Sequence, residues 1–150
     1  MTMYANPKQQ LNRYATDSIM SASPARLLTM LYDRLLLDLS RAEAAHETRS
    51  WAVVSSNLLH AQDIVAELTS SLKVDAWDGG ERLLALYTYV SAALIRGNIH
   101  RDLDAVRECI TLLEPLRQAW HEAAGQLAAA QPVEQAPSRP ALSGGMLGVA

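Results

Sequence analysis

Phenylalanine is absent from the sequence, and cysteine occurs only once, as Cys109. A single cysteine excludes a disulfide bond within the chain and is typical of a reducing compartment. Charges interrupt every apolar run well before the roughly 18 residues that a membrane-spanning helix needs, so membrane insertion is not expected. The first residues also lack the charged start, apolar centre and cleavage site of a secretory signal. These absences together predict a cytoplasmic protein.

Clustered positive charge is also missing. The 13 lysine and arginine residues are scattered along a chain whose net charge is −3. Nucleic-acid-binding proteins usually concentrate their basic residues in a patch or stripe, so nucleic acid is not an expected partner. Runs rich in valine, isoleucine and threonine, which favour strands, are lacking as well. Leucine and alanine are abundant instead, and this composition favours helices.

Four segments have the spacing of amphipathic helices. Ser23-Pro24 opens the first, because serine is a favoured helix cap and proline at the first helical position loses no needed hydrogen bond. In the second, apolar residues alternate spacings of four and three, as the seam of a bundle requires. Gly97-Asn98 is predicted to end the third with a left-handed residue, and Pro115 is expected to kink the fourth. The predicted helices cover about residues 24–46, 51–72, 80–97 and 102–129.

Short connections between four long helices predict an all-α fold, a four-helix antiparallel up-and-down bundle formed by residues 23–129. A chain of 150 residues is long enough for one core of this kind. Residues 1–22 are expected to form a flexible N-terminal arm, in which a short helix can begin near Leu11. Residues 130–150 are rich in proline, glycine and serine and poor in apolar residues, so a disordered C-terminal tail is expected.

The first helix carries more apolar residues than one core-facing stripe requires. Leu27, Met30 and Leu37 fall among polar residues, on the half of the helix opposite that stripe. The stripe itself consists of Leu28, Leu31, Tyr32, Leu35, Leu36 and Leu39. Either a further segment of this chain or a partner is expected to cover the three surplus residues. This pattern indicates a binding module.

Three features that suggest an enzyme lack the residues that would complete a site. Glu43 and His46 have the Glu-x-x-His spacing of di-metal bundles, but such a centre needs a second copy of the motif and two further carboxylates. Cys109 follows Glu108, whose negative charge disfavours the reactive thiolate. Gly79-Gly80 lacks the third glycine, the lysine and the preceding strand of a phosphate-binding loop. We therefore expect no enzymatic activity, no metal and no cofactor.

A set of short motifs occurs in a specific order, although each motif alone is weak. The first runs from Tyr14 to Pro24 and continues into the segment from Leu27 to Asp33. The later ones are Asn57-Leu58, Ala61, Ile64-Val65, Leu68 with Leu72, Gly79-Gly80-Glu81, Leu86-Tyr87-Thr88-Tyr89-Val90, Asn98 and Leu116-Arg117-Gln118-Ala119-Trp120. Together they resemble the FliS family, the bacterial flagellar secretion chaperones that hold flagellin before export. The resemblance covers roughly residues 14 to 122.

The resemblance implies an export chaperone for the disordered C-terminal segment of flagellin, which becomes helical as it docks. Such a chaperone prevents premature polymerisation and keeps flagellin competent for flagellar type III secretion. It also implies that the N-terminal arm covers part of the client groove until the client arrives, with Tyr14 and Ile19 as a displaceable lid. By match to the family, the groove residues are Leu58, Ala61, Val65, Leu68, Tyr87 and Val90. The helix-face argument adds Leu27, Met30 and Leu37.

Two alternatives stay open at this point. Each of the six residues matched to the family groove fits the bundle core equally well, because both need apolar side chains at the same spacing. A self-associating helical adaptor without a flagellin client is the second functional hypothesis. The further partners considered are other flagellar export factors and, without client, a second copy of the chain in a homodimer.

Overall fold

The computed structural model describes residues 7–10, which form one exposed helical turn, and residues 22–130. Helix α1 spans Pro24–Glu47, α2 spans Trp51–Ser71, α3 spans Gly80–Ile99 and α4 spans Leu103–Ala130. A short 3-10 helix, Val74–Ala76, lies between α2 and α3. The described residues contain no strand. The predicted all-α fold is therefore confirmed, whereas most of the predicted arm and tail lies outside the described residues.

The four long helices form an antiparallel bundle. Helix α1 packs against α2 and α4, and α3 packs against the same two helices. Only residues 48–50 connect α1 to α2, and only residues 100–102 connect α3 to α4. Connections this short force consecutive helices to run in opposite directions. The beginnings of α1 and α3 therefore lie at the same end of the bundle as the ends of α2 and α4.

Side-chain and backbone hydrogen bonds close the helix ends. The Ser23 hydroxyl accepts a hydrogen bond from the backbone N–H of Arg26 at 3.2 Å, as the predicted cap requires. Helix α1 ends with the Ser50 N–H donating to the Ala45 carbonyl at 2.9 Å, while Arg49 adopts a left-handed φ of 53°. This is the Schellman arrangement that usually places glycine at the left-handed position.

The prediction that Gly97-Asn98 ends α3 is wrong. The helix continues to Ile99, and the left-handed residue is Arg101, with a φ of 52°. Gly97 is buried inside α3, where an added Cβ would lie 3.3 Å from Val106 Cγ2 and 3.4 Å from the Asp102 carbonyl oxygen. Its lack of a side chain therefore permits close packing of α3 against the start of α4, rather than a left-handed turn.

Polar pairs that involve α1 lie both inside the core and at its border. The Tyr32 and Tyr87 hydroxyls share a hydrogen bond of 2.6 Å between α1 and α3. Asp38 is fully buried and pairs with Arg34 Nε at 3.1 Å and with His60 Nδ1 of α2. Glu43 pairs with Arg107 of α4 at 2.9 Å. Helix α4 continues through Pro115 without a break.

Candidate binding surface

The structure places all six residues matched to the family groove in the hydrophobic core. Leu58, Ala61 and Val90 have no exposed surface, and the other three, Val65, Leu68 and Tyr87, are almost completely buried. In this conformation a client can touch most of them only after neighbouring side chains move. Leu68 and Tyr87 differ from the other four, because both also line a cavity at one end of the bundle. Contact of the six with a client stays a prediction.

The three surplus residues of α1 have a different environment. Leu37 is 41% exposed and Leu27 is 36% exposed, whereas Met30 is partly buried. The helix-face argument requires residues that the core does not need, and the exposure of the two leucines agrees with it. Their role in binding is still a prediction, since exposure alone identifies no partner.

The cavity lined by Leu68 and Tyr87, here called the aromatic cavity, has a volume of about 270 Å³. Helices α1 to α4 and the 3-10 segment all contribute to it at the end where α1 and α3 begin. Among the described residues that line it, only Lys73 carries a charge. Its apolar wall consists of Leu28, Leu68, Leu72, Ala76, Trp77, Leu83, Tyr87 and Trp120. Such a cavity suits a large apolar side chain.

Trp77 is the most accessible aromatic residue of this cavity, and the sequence pattern did not indicate it. Its indole is 48% exposed and meets the Trp120 ring edge to face, with centroids 6.3 Å apart. Trp120 in turn lies 6.4 Å from the Tyr32 ring. Trp77 follows the 3-10 helix and belongs to no long helix, so helical periodicity carries no information about it.

Two glycines hold the loop that carries Trp77. A Cβ added to Gly79 would lie 2.1 Å from the Trp77 ring, and one added to Gly80 would lie 2.1 Å from the Val74 carbonyl oxygen. Both distances are shorter than van der Waals contact, so a side chain at Gly79 would displace the Trp77 ring and one at Gly80 would displace the loop backbone. The glycine pair therefore has a structural role beside the aromatic cavity.

A second cavity, here called the terminal cavity, lies between the beginning of α1 and the end of α4 and has a volume of about 620 Å³. Its lining includes Pro24, Arg26, His121 and Leu127. The chain enters α1 at this cavity through Ala22 and Ser23. The proposed lid residues Tyr14 and Ile19 precede that point and lie outside the described residues.

A charged cluster fixes the helices beside the terminal cavity. Asp33 Oδ1 of α1 lies 2.7 Å from both Arg117 Nε and His121 Nε2 of α4. Partial burial alone would raise the pKa of the Asp33 carboxyl, but hydrogen bonds from His121 and Arg117 hold that pKa below its ordinary value. The cluster therefore keeps a carboxylate that ties α1 to α4.

The residues considered for catalysis or metal binding are buried or take part in packing and ion pairs. Burial raises the pKa of the Cys109 thiol to about 12, which disfavours the nucleophilic thiolate. Glu43 binds Arg107, and the His46 ring packs edge-on against Trp51 with centroids 5.2 Å apart. Within residues 7–10 and 22–130, no group of three or more histidine, cysteine, aspartate or glutamate residues is placed to hold a metal. None of the helices described is both long and apolar enough to span a bilayer.

Comparison with known proteins gives consistent matches. The family model described as "Flagellar protein FliS" matches residues 7–127. The chain is 33% identical over 107 residues to the flagellar secretion chaperone FliS of Escherichia coli K12, covering 70% of this chain and 79% of that protein. It is 29% identical over 110 residues to the protein of the same name from Bacillus subtilis 168, covering 73% of this chain and 82% of that protein.

A relative from Salmonella typhimurium LT2, also called flagellar secretion chaperone FliS, is 32% identical over 110 residues, covering 70% of this chain and 79% of that protein. Among solved structures, a crystal structure of a bacterial flagellar chaperone superposes with a TM-score of 0.63 at 20% identity. That match covers 81% of this chain and 99% of the other. At this identity the structural match shows that the fold is shared.

Proposed function

Because the chain belongs to the FliS family, whose members are flagellar secretion chaperones and not enzymes, we propose that it binds the C-terminal segment of flagellin in the cytoplasm. The bound segment is kept from polymerising early and stays competent for export. The aromatic cavity is the structural observation that supports this proposal. An exposed indole and several apolar side chains line it at one end of the bundle.

The energetics require more than one anchor. A disordered segment that folds as it docks loses about 2–5 kcal/mol or more of its gross interaction energy to ordering. Each leucine-sized side chain that becomes fully buried contributes about 1.5–3 kcal/mol. We therefore propose that the client engages the aromatic cavity together with Leu27 and Leu37 of α1, as a helix laid along an apolar surface.

The terminal cavity offers a place for the lid. Residues 11–21 join the described chain at Ala22, directly beside the start of α1 that lines this cavity. We propose that Tyr14 and Ile19 cover apolar surface at this end of the bundle until the client displaces them. Deletion of residues 1–20 is then expected to leave the bundle folded and client affinity undiminished. A marked loss of affinity would instead make the arm part of the docking surface.

Calorimetric titration of the full chain with a peptide of the flagellin C-terminal segment tests the function. A stoichiometric complex is expected, and Trp77→Ala is expected to raise its Kd at least tenfold. A buried tryptophan covers about 150–250 Å², and burying even half of that area is worth about 2 kcal/mol. Each factor of ten in Kd corresponds to about 1.4 kcal/mol.

The matched control is Val53→Ala, because Val53 is 49% exposed and lies at the opposite end of the bundle. This variant is expected to bind the peptide like the wild type. If the wild-type chain binds no peptide, the chaperone proposal fails and the adaptor hypothesis is favoured. If both variants weaken binding equally, the client does not use the aromatic cavity. Far-UV circular dichroism verifies that both variants fold.

A further inference from the structure

The solvent-facing side of α1 carries an apolar stripe. Met30, Leu37 and Ala44 recur every seven residues, so they lie almost in line along the helix. Leu37 is 41% exposed, Ala44 is exposed and Met30 is partly buried. Leu27 prolongs the stripe toward the end of the bundle that holds the aromatic cavity, so the stripe extends over about 25 Å. A helix laid against α1 would find apolar contacts along this length.

The acidic residues of α1 leave this stripe free of negative charge. Asp33 and Glu43 each form an ion pair with a side chain of α4. Asp38 is fully buried, and Glu47 is the last residue of the helix. A partner on the stripe would therefore meet no exposed and unpaired carboxylate of α1 between the aromatic cavity and the final turn.

Two arginines flank the stripe on the side of α2. Arg34 and Arg41 are seven residues apart, which is about 10 Å along the helix. Arg34 bonds Asp38 through Nε at 3.1 Å, but its side chain is 48% exposed and keeps N–H groups for a further carboxylate. Arg41 is exposed and forms no ion pair within the described residues. Asp63 and Glu67, the exposed acids of α2, pair with neither arginine. Positive charge without a counter-charge in this molecule therefore lies beside the stripe.

We propose that the client helix on α1 carries acidic residues along one edge and that Arg34 and Arg41 select it by pairing with them. This inference rests on the proposed function, in which the client engages Leu27 and Leu37. Carboxylates two turns apart on one edge of the client helix match the spacing of the arginines, about 10 Å. Each arginine can hold a carboxylate through two parallel hydrogen bonds. A helix with lysine or arginine at the same positions is repelled, so charge adds selectivity to the apolar contact.

Calorimetric titration of the full chain with two peptides tests the inference. One peptide is the native C-terminal segment of flagellin, and in the other every aspartate and glutamate is replaced by asparagine and glutamine. The amide peptide keeps the apolar residues and is expected to bind the wild-type chain at least about fivefold more weakly. This difference is expected to shrink between about 0.1 M and 1 M salt, because the Debye length falls from about 10 Å to about 3 Å.

Charge reversal at Arg41 locates the effect on the protein. Arg41→Glu is expected to fold, since the position is exposed and unpaired and glutamate is a good helix former. It is expected to weaken the native peptide at least about fivefold and to leave the amide peptide within about twofold. A third peptide, with lysine in place of the acids, is expected to bind Arg41→Glu more tightly than the wild type, which a misfolded variant cannot do.

Arg82→Glu is the matched control, because it changes the net charge equally at an exposed position of α3, the helix diagonal to α1. It is expected to leave the affinity for both of the first two peptides unchanged. If the native peptide binds but the amide peptide binds equally well, or if the two charge reversals act alike, the inference is wrong and the proposed function stands. A native segment without acidic residues would also overturn the inference. If the native peptide does not bind at all, both fail.

Discussion

The buried hydroxyl pair between α1 and α3 gives a quantitative test of the core. Tyr32 and Tyr87 are almost completely buried, and their hydroxyls lie 2.6 Å apart. Changing either tyrosine to phenylalanine leaves the other hydroxyl buried with its partner lost, which costs about 1–3 kcal/mol of unfolding free energy. The double variant has no unpaired hydroxyl, so it is expected to be no less stable than either single variant.

The neighbouring indole does not change this expectation. Trp120 lies beside Tyr32, and its Nε1–H can donate to the Tyr32 hydroxyl oxygen. An indole only donates, so it cannot accept the proton of a Tyr32 hydroxyl that has lost Tyr87. A double-mutant cycle compares the wild type, the two single variants and the double variant. It is therefore expected to show a coupling energy of about 1–3 kcal/mol between the two substitutions.

Urea unfolding followed by far-UV circular dichroism measures the cycle, with unchanged m-values as evidence that the unfolding reaction is the same. The matched control is Tyr89→Phe, since Tyr89 is exposed and its hydroxyl bonds an exposed carboxylate. This control is expected to change stability by no more than about 0.5 kcal/mol. Additive losses in the cycle, with coupling near zero, would refute the view that the two hydroxyls satisfy each other.

Three further predictions concern the backbone, pH and the loop. Arg49→Gly is expected to stabilise the protein by about 0.5–1 kcal/mol in urea unfolding, because it relieves the strain of an exposed left-handed residue that has a side chain; a loss would contradict this. Burial raises the pKa of Cys109 to about 12 and also raises that of Tyr87, while the unfolded groups ionise near 9.0 and 10.0. Ionisation of these two groups should therefore leave the unfolding free energy unchanged below about pH 9 and lower it as the pH rises further. In Cys109→Ala, the first part of this decrease in unfolding free energy should be smaller. Gly80→Ala is expected to lower the melting temperature and weaken peptide binding, because its Cβ meets the Val74 carbonyl oxygen at 2.1 Å; normal binding would show that the loop position does not matter.

Spacing predicted the helices and their buried faces because burial on one side of a helix imposes its period on the sequence. It also separated Leu27 and Leu37 from the core, since both fall outside the buried stripe. Spacing could not separate groove from core for residues such as Leu58 and Val65. Both environments require an apolar residue at the same positions, and only packing against the other three helices shows which are covered.

The features that the sequence did not reveal depend on contacts between distant segments. Because glycine favours left-handed turns, the sequence predicts a helix end at Gly97, but in the structure this glycine permits close packing of Val106. Among the described residues other than glycine, the left-handed ones are both arginines, which propensity disfavours. Trp77 lies in the aromatic cavity because Gly79 leaves room for its ring and Trp120 packs against it. Neither contact follows the period of a helix, so residue spacing does not reveal it.

The buried carboxylate of Asp38 determines how α1 and α2 can be aligned. It has no exposed surface, and among the described residues its hydrogen-bond partner on another helix is His60. If α1 slid by one turn along α2, Asp38 would keep Arg34 of its own helix but lose its hydrogen bond with His60, and a hydrogen bond to a charged group is worth about 1.5–3 kcal/mol. Leucine and valine side chains along the same seam make no directional bond, so they specify the register less strictly. One acidic side chain therefore selects a single register from several that the apolar residues alone would tolerate.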